Sequence, residues 1–207
     1  MHMKSGRTIC IAFLIGHIST AAFGQNAGIA GIDSHITIEN PADLAGPEAS
    51  AIYDDLKDRL ATNYAMSQLK EIEDYQSWPL FNTAPYISAT HGQRYVNNYA
   101  NAVASNYADL EEGELLPTGS ILVKDSITVT DDGGIFPGAL FGMEKLASGA
   151  SPETADWRYF MVIPDGSIYG DTTGANPDLM TYCHVCHEAV ADRDYTFYVP
   201  EDFRLTQ

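Results

Sequence analysis

The chain has 207 residues, with 28 acidic against 11 basic side chains and a formal charge of −17. Such an acidic surface disfavours nucleic acid and anionic membranes and favours solubility or cationic partners. A hydrophobic content of 45% beside 19% charged residues excludes a disordered chain, and the length suits one domain, two at most.

In chain order, Lys4 and Arg7 precede an apolar run over 9–15, and small residues follow to Gly24. That order predicts a secretory signal peptide over 1–24, and the run is too short for a membrane anchor. Export implies a periplasmic or secreted protein with no membrane contact after cleavage. Removing 1–24 takes away two bases, no acid and Cys10, so Cys183 and Cys186 are the only thiols left. Residues 25–48, rich in Gly, Ala, Asn, Asp and Pro, read as an extended leader, and 49–207 as the folded domain.

Ile52, Leu56, Leu60 and Tyr64 form an i, i+4 ladder after Pro47 and Ser50, with Met66, Leu69 and Ile72 continuing it. This predicts one long amphipathic helix to about Tyr75, of the kind that packs on a core or a second copy. Residues 77–92 read as loop. Residues 95–107 start like a strand and turn helical after Ala100. From Pro117 the period becomes two. Strands are expected over 120–130, 139–146 and 157–163, with a hairpin signal at Asp131-Asp132-Gly133-Gly134. A turn at 164–167 leads into Ile168-Tyr169, a short helix runs from Pro177 to about Ala191, and 195–199 reads as a last strand. The class is α+β: an antiparallel meander with flanking helices and the cysteines on a C-terminal helix.

Cys183-His184-Val185-Cys186-His187 is C-x-x-C-H, the attachment pattern of c-type haem. Two thiols three residues apart on one helical turn reach both vinyl groups of a porphyrin, and the adjacent His187 reaches the iron. A zinc site would have to recruit nitrogens from His184, His187, His91 or His35, with no second cysteine pair. A thioredoxin-like pair would need a βαβ setting, which is absent. No methionine follows His187, so a sulfur ligand would come from Met66, Met143 or Met161. An open sixth position favours binding or catalysis over simple electron carriage.

Alternation puts Leu122 and Lys124 on one strand face, and Leu140, Gly142 and Glu144 together on another. Lys124 is either a strand-end lysine snorkelling to water or one that is used chemically. Glu144 is either a solvated carboxylate beside Lys145 or a proton acceptor.

The stretch from about Trp78 onward resembles the cytochrome P-460 family. The resembling blocks are His91-Gly92-Gln93-Arg94-Tyr95-Val96-Asn97, the run from Pro117 to Asp125, Gly142-Met143-Glu144, Asp156-Trp157-Arg158-Tyr159, Pro164-Asp165-Gly166-Ser167, the C-x-x-C-H motif and the run from Asp192 to Phe197. The resemblance implies an antiparallel β fold, often a homodimer, and a five-coordinate haem c with iron bound by His187. It implies oxidation of hydroxylamine to nitric or nitrous oxide, with electrons passing to an external redox partner. It further implies a covalent bond from a lysine, here Lys124, to the porphyrin, and a pocket carboxylate, here Glu144, that relays protons. A related non-catalytic group, the cytochromes c′-beta, binds nitric oxide beneath phenylalanines. Phe136, Phe141 and Phe160 are the candidates for that role here.

Overall fold

The computed structural model describes residues 37–205; the expected signal peptide lies outside them. Helix α1 (Gly46–Ala65) opens on Pro47 and Glu48, a fixed φ and a negative charge that both suit a helix N-terminus. Its buried stripe is Ala49, Tyr53, Leu56, Leu60 and Tyr64. The helix ends ten residues earlier than its periodicity predicts. The Ser67 hydroxyl donates to the Tyr64 carbonyl, and Gln68 takes a left-handed φ of 62° that reverses the chain. Two 3-10 turns, 70–72 and 75–77, then return Ile72 and Tyr75 to the same core.

Seven strands make one sheet: β1 (Tyr86–Ser88), β2 (Arg94–Ala100), β3 (Ile121–Val129), β4 (Ile135–Pro137), β5 (Leu140–Lys145), β6 (Trp157–Val162) and β7 (Ile168–Asp171). All pairings are antiparallel in the order β1-β2-β3-β5-β6-β7, with β4 paired to β3 beyond the hairpin. The α+β meander with flanking helices is therefore the fold. β1 falls where loop was expected, and β4 between the hairpin signal and the next expected strand; both are three residues long, too short to show a period. After Ala100 the chain makes one 3-10 turn, 102–104, in place of a helix. Asn101 stops it: its side chain accepts from Ala104 N and Ile121 N and donates to the Gly119 carbonyl. The described end of the leader is pinned to the sheet, Ala42 N donating to Val129 O. α-Helix α2 covers only Thr181–His187, flanked by 3-10 turns. Residues 195–199 form no strand, because Asp194 and Tyr195 are both left-handed, with φ of 49° and 61°.

The sheet divides two cores. Beneath α1 lie Tyr95, Tyr99, Ile121, Val123, Ile127, Leu140, Phe160 and Val162. On the other face lie Leu122, Met143, Trp157, Tyr159 and Met161, closed over by Met180 and Cys183. Gly142 is a packing requirement of the first core, since a Cβ there would overlap the Phe160 ring.

The α1 core encloses a carboxylate. Asp125 is fully buried, and its Oδ2 accepts from Tyr53 Oη at 2.6 Å and Tyr75 Oη at 2.9 Å. Burial pushes its pKa up from 3.8 to about 7 despite those hydrogen bonds. The folded state thus holds a proton that the unfolded chain releases, and this contribution to stability fades as pH rises from about 4 to 7. Asp125→Asn should gain stability relative to the parent across that window by roughly 4 kcal/mol. Urea midpoints of both proteins between pH 4 and 8 read this out; parallel curves would refute it.

Candidate functional site

The strand registers align residues across the second face in two rows. One is Ala100–Leu122–Met143–Tyr159; the next, one pleat along, is Asn98–Lys124–Phe141–Met161. Above these rows lies a cavity of about 290 Å³. Its walls include Asn98, Leu122, Lys124, Phe141 and Met143 from the sheet, the turn Ser88–His91, and Cys183, Cys186 and His187 from α2. Cys183, Cys186, His187 and Lys124 are therefore brought to one cavity.

His187 is oriented by the backbone. Its Nδ1 lies 2.6 Å from the Tyr195 carbonyl, which can only accept, so Nδ1 carries the proton and the lone pair sits on Nε2, the nitrogen a metal would use. The left-handed pair Asp194–Tyr195 points that carbonyl. Asp194 in turn is buried and held by Lys145 Nζ at 2.6 Å, Leu116 N at 2.9 Å and Trp157 Nε1 at 3.2 Å. The imidazole packs edge-on against Tyr159 and Phe197. Burial pushes the Cys183 thiol up to about 12, whereas Cys186 is exposed.

Lys124 lines the cavity without a carboxylate partner among the described residues. Burial lowers its pKa to about 8, with the Cys186 thiol a smaller opposing influence. An amine so placed is costly to keep charged and is substantially neutral, hence nucleophilic, near that pH.

Glu144 lies on the other side of the sheet. It pairs with Ile121 across β3 and so shares the α1 face, away from Lys124. There Arg158 binds Glu144 at 2.8 Å, Glu71, and Asp171 through two nitrogens. Burial alone would raise Asp171, but Arg158 and backbone donors hold it below the usual carboxylate range. The expected pocket carboxylate is thus a member of a structural ion cluster joining β5, β6, β7 and the segment after α1. Among the phenylalanines, Phe141 lines the cavity, Phe136 is exposed at the hairpin and Phe160 packs in the α1 core. Met66 is exposed at the end of α1. Met143 lies in the Tyr159 row, against which His187 packs. Met161 lines a neighbouring cavity of about 250 Å³ with Arg94. Among the described residues no group of three or more His, Cys, Asp or Glu side chains could hold a metal ion. His91 and its turn emerge as cavity residues that no periodicity could place.

Two thiols, an imidazole with its lone pair on Nε2 and an unpaired amine in an apolar enclosure fit a covalently tethered haem, and the fold and site define a haem-binding cytochrome. A family model described as Cytochrome P460 matches residues 72–198, more than half of the chain. The chain belongs to the cytochrome P460 family. No curated protein matches the chain.

Arg158→Leu should cost about 3 kcal/mol or more, because it leaves Glu71, Glu144 and Asp171 gathered with no cation between them. Glu144→Gln should cost about 1 kcal/mol, removing one charge-assisted bond while the others remain. Urea unfolding at neutral pH measures both; equal effects would contradict a shared arginine hub.

Proposed function

We propose that the protein is an exported mono-haem c-type cytochrome that oxidises hydroxylamine to nitric or nitrous oxide. With haem bound, Cys183 and Cys186 would hold it through thioethers, His187 would ligate the iron through Nε2, and Lys124 would bond to the macrocycle in an oxidative coupling that releases two protons and passes two electrons to an external acceptor. The observation that carries this reading is the Lys124 amine, without a carboxylate partner among the described residues, in the same cavity as both thiols and His187. A snorkelling lysine would reach water and keep its ordinary basicity. A bound haem would supply an iron open to a nitrogen ligand on one face and a conduit for electrons to an external acceptor.

The chain's own residues supply the rest. The Tyr195 carbonyl fixes the His187 tautomer and adds to its donor strength. Leu122, Met143 and Phe141 exclude water, which strengthens electrostatic interactions within the cavity. Export to the periplasm or beyond rests on the Lys4/Arg7 and apolar pattern at the N-terminus. The strong negative charge suits a cationic redox partner.

A second reading, nitric oxide binding without turnover, draws on Phe141, whose ring lines the cavity beside Lys124. Lys124→Ala separates the two. Intact mass and tryptic mapping of protein matured with haem should show haem on the 183–187 peptide in both forms, and a lysine–porphyrin peptide only in the parent. Hydroxylamine turnover should fall at least tenfold in the variant. Unmodified Lys124 in a parent that binds nitric oxide but leaves hydroxylamine untouched would select the second reading.

A further inference from the structure

Hydroxylamine gives up three protons and three electrons on becoming nitric oxide. The electrons leave to an external one-electron acceptor, and the protons need a base within reach of the nitrogen. Glu144 is across the sheet, and no carboxylate lines the cavity among the described residues. The tyrosine hydroxyls of Tyr86, Tyr107 and Tyr159 are pushed up by burial and are no bases near neutrality. The nitrogen bases of the wall are Lys124, His187 and His91. The first two are committed under the proposed function, and the need for a third base rests on that reading.

His91 has the placement that proton transfer requires. It closes the 3-10 turn 89–91 after β1, and Gly92 behind it is left-handed with φ of 75°. Its Nδ1 lies 2.7 Å from Ser88 Oγ, and Arg94 Nη1 donates to its carbonyl at 3.2 Å. Its ring meets the Phe141 ring edge-on with centroids 4.9 Å apart. His187 packs instead on Tyr159. Phe141 and Tyr159 belong to the two different rows, one pleat apart along the strands, which is roughly 7 Å. A flat group standing between the rows has His187 on one side and Phe141 with His91 on the other.

We infer that His91 is a catalytic residue: from the side of the cavity away from His187, it hydrogen-bonds to the nitrogen ligand and accepts its proton. The Ser88 hydroxyl suits that role, because it can donate to or accept from Nδ1 and so stabilises either tautomer and the protonated ring.

The test uses haem-loaded parent, His91→Gln and His91→Phe proteins and two readouts. The first is the C–O stretch of the ferrous carbon monoxide complex in water and deuterium oxide. A deuterium-sensitive stretch is expected in the parent and in His91→Gln, and an insensitive, higher-frequency stretch in His91→Phe. The second is hydroxylamine turnover, which should fall about 10²-fold or more in both variants, the range lost with a general base. An unchanged stretch in His91→Phe would show that His91 does not face the ligand. A stretch altered as expected with turnover intact in His91→Gln would remove the proton role. A low-spin parent that turns high-spin in His91→Phe would make His91 an iron ligand and overturn the inference. A parent that gives the expected stretches but no hydroxylamine turnover would defeat the proposed substrate and with it the proton role, while leaving His91 facing the ligand.

Discussion

Strand β3 turns successive side chains to opposite sides of the sheet, and the groups on each side organise most of the molecule. Lys124 faces the cavity and Asp125, the next residue, faces the core under α1. Opposite charges adjacent in sequence are thereby kept apart by the backbone and cannot neutralise each other. Asp125 is buried and Lys124 half-buried among apolar and aromatic side chains, and each drifts towards neutrality, the amine downward to about 8 and the carboxyl upward to about 7. Tyr53 and Tyr75 both donate to one carboxyl oxygen, Oδ2, and tie α1 and its returning segment to the sheet. No such partner meets the amine among the described residues.

The His187 side of the cavity is built by a second chain of constraints. Lys145 and Trp157 hold Asp194, Asp194 and Tyr195 adopt left-handed backbone, and the Tyr195 carbonyl fixes the His187 ring. Left-handed conformations cost a non-glycine residue free energy, on the order of 1 kcal/mol each, and persist only where surrounding contacts determine them. The buried Lys145–Asp194 pair, with Lys145 also donating to the Ala155 carbonyl, provides that determination. The strand expected at 195–199 gives way here because the carbonyl that would join a ladder is engaged by an imidazole.

The two faces also separate chemistry from architecture. Arg158 gathers three carboxylates on the α1 side and ties together strands that form the far half of the sheet. Glu144 belongs to that hub and is held on the α1 face, away from the cavity. The turn after β1 brings His91 to Phe141, a contact between residues 50 positions apart along the chain.

Local pattern alone carried much of this architecture. Cys183, Cys186 and His187 were legible because a haem attachment motif is a spacing within one helical turn. β3, β5, β6 and the start of α1 were legible because burial on a sheet or helix face leaves a period. Alternation even set Leu122 with Lys124 on β3, and Leu140 with Glu144 on β5. It did not say which of these sets faced the haem-binding cavity, because the period of two is blind to what covers each side. That decision belonged to tertiary structure: the register of β3 with β5, the packing of α1 on one face and α2 on the other. Short β1 and β4, the early end of α1 and the place of His91 were likewise set by long-range contacts and left-handed turns, which leave no periodic trace in the sequence.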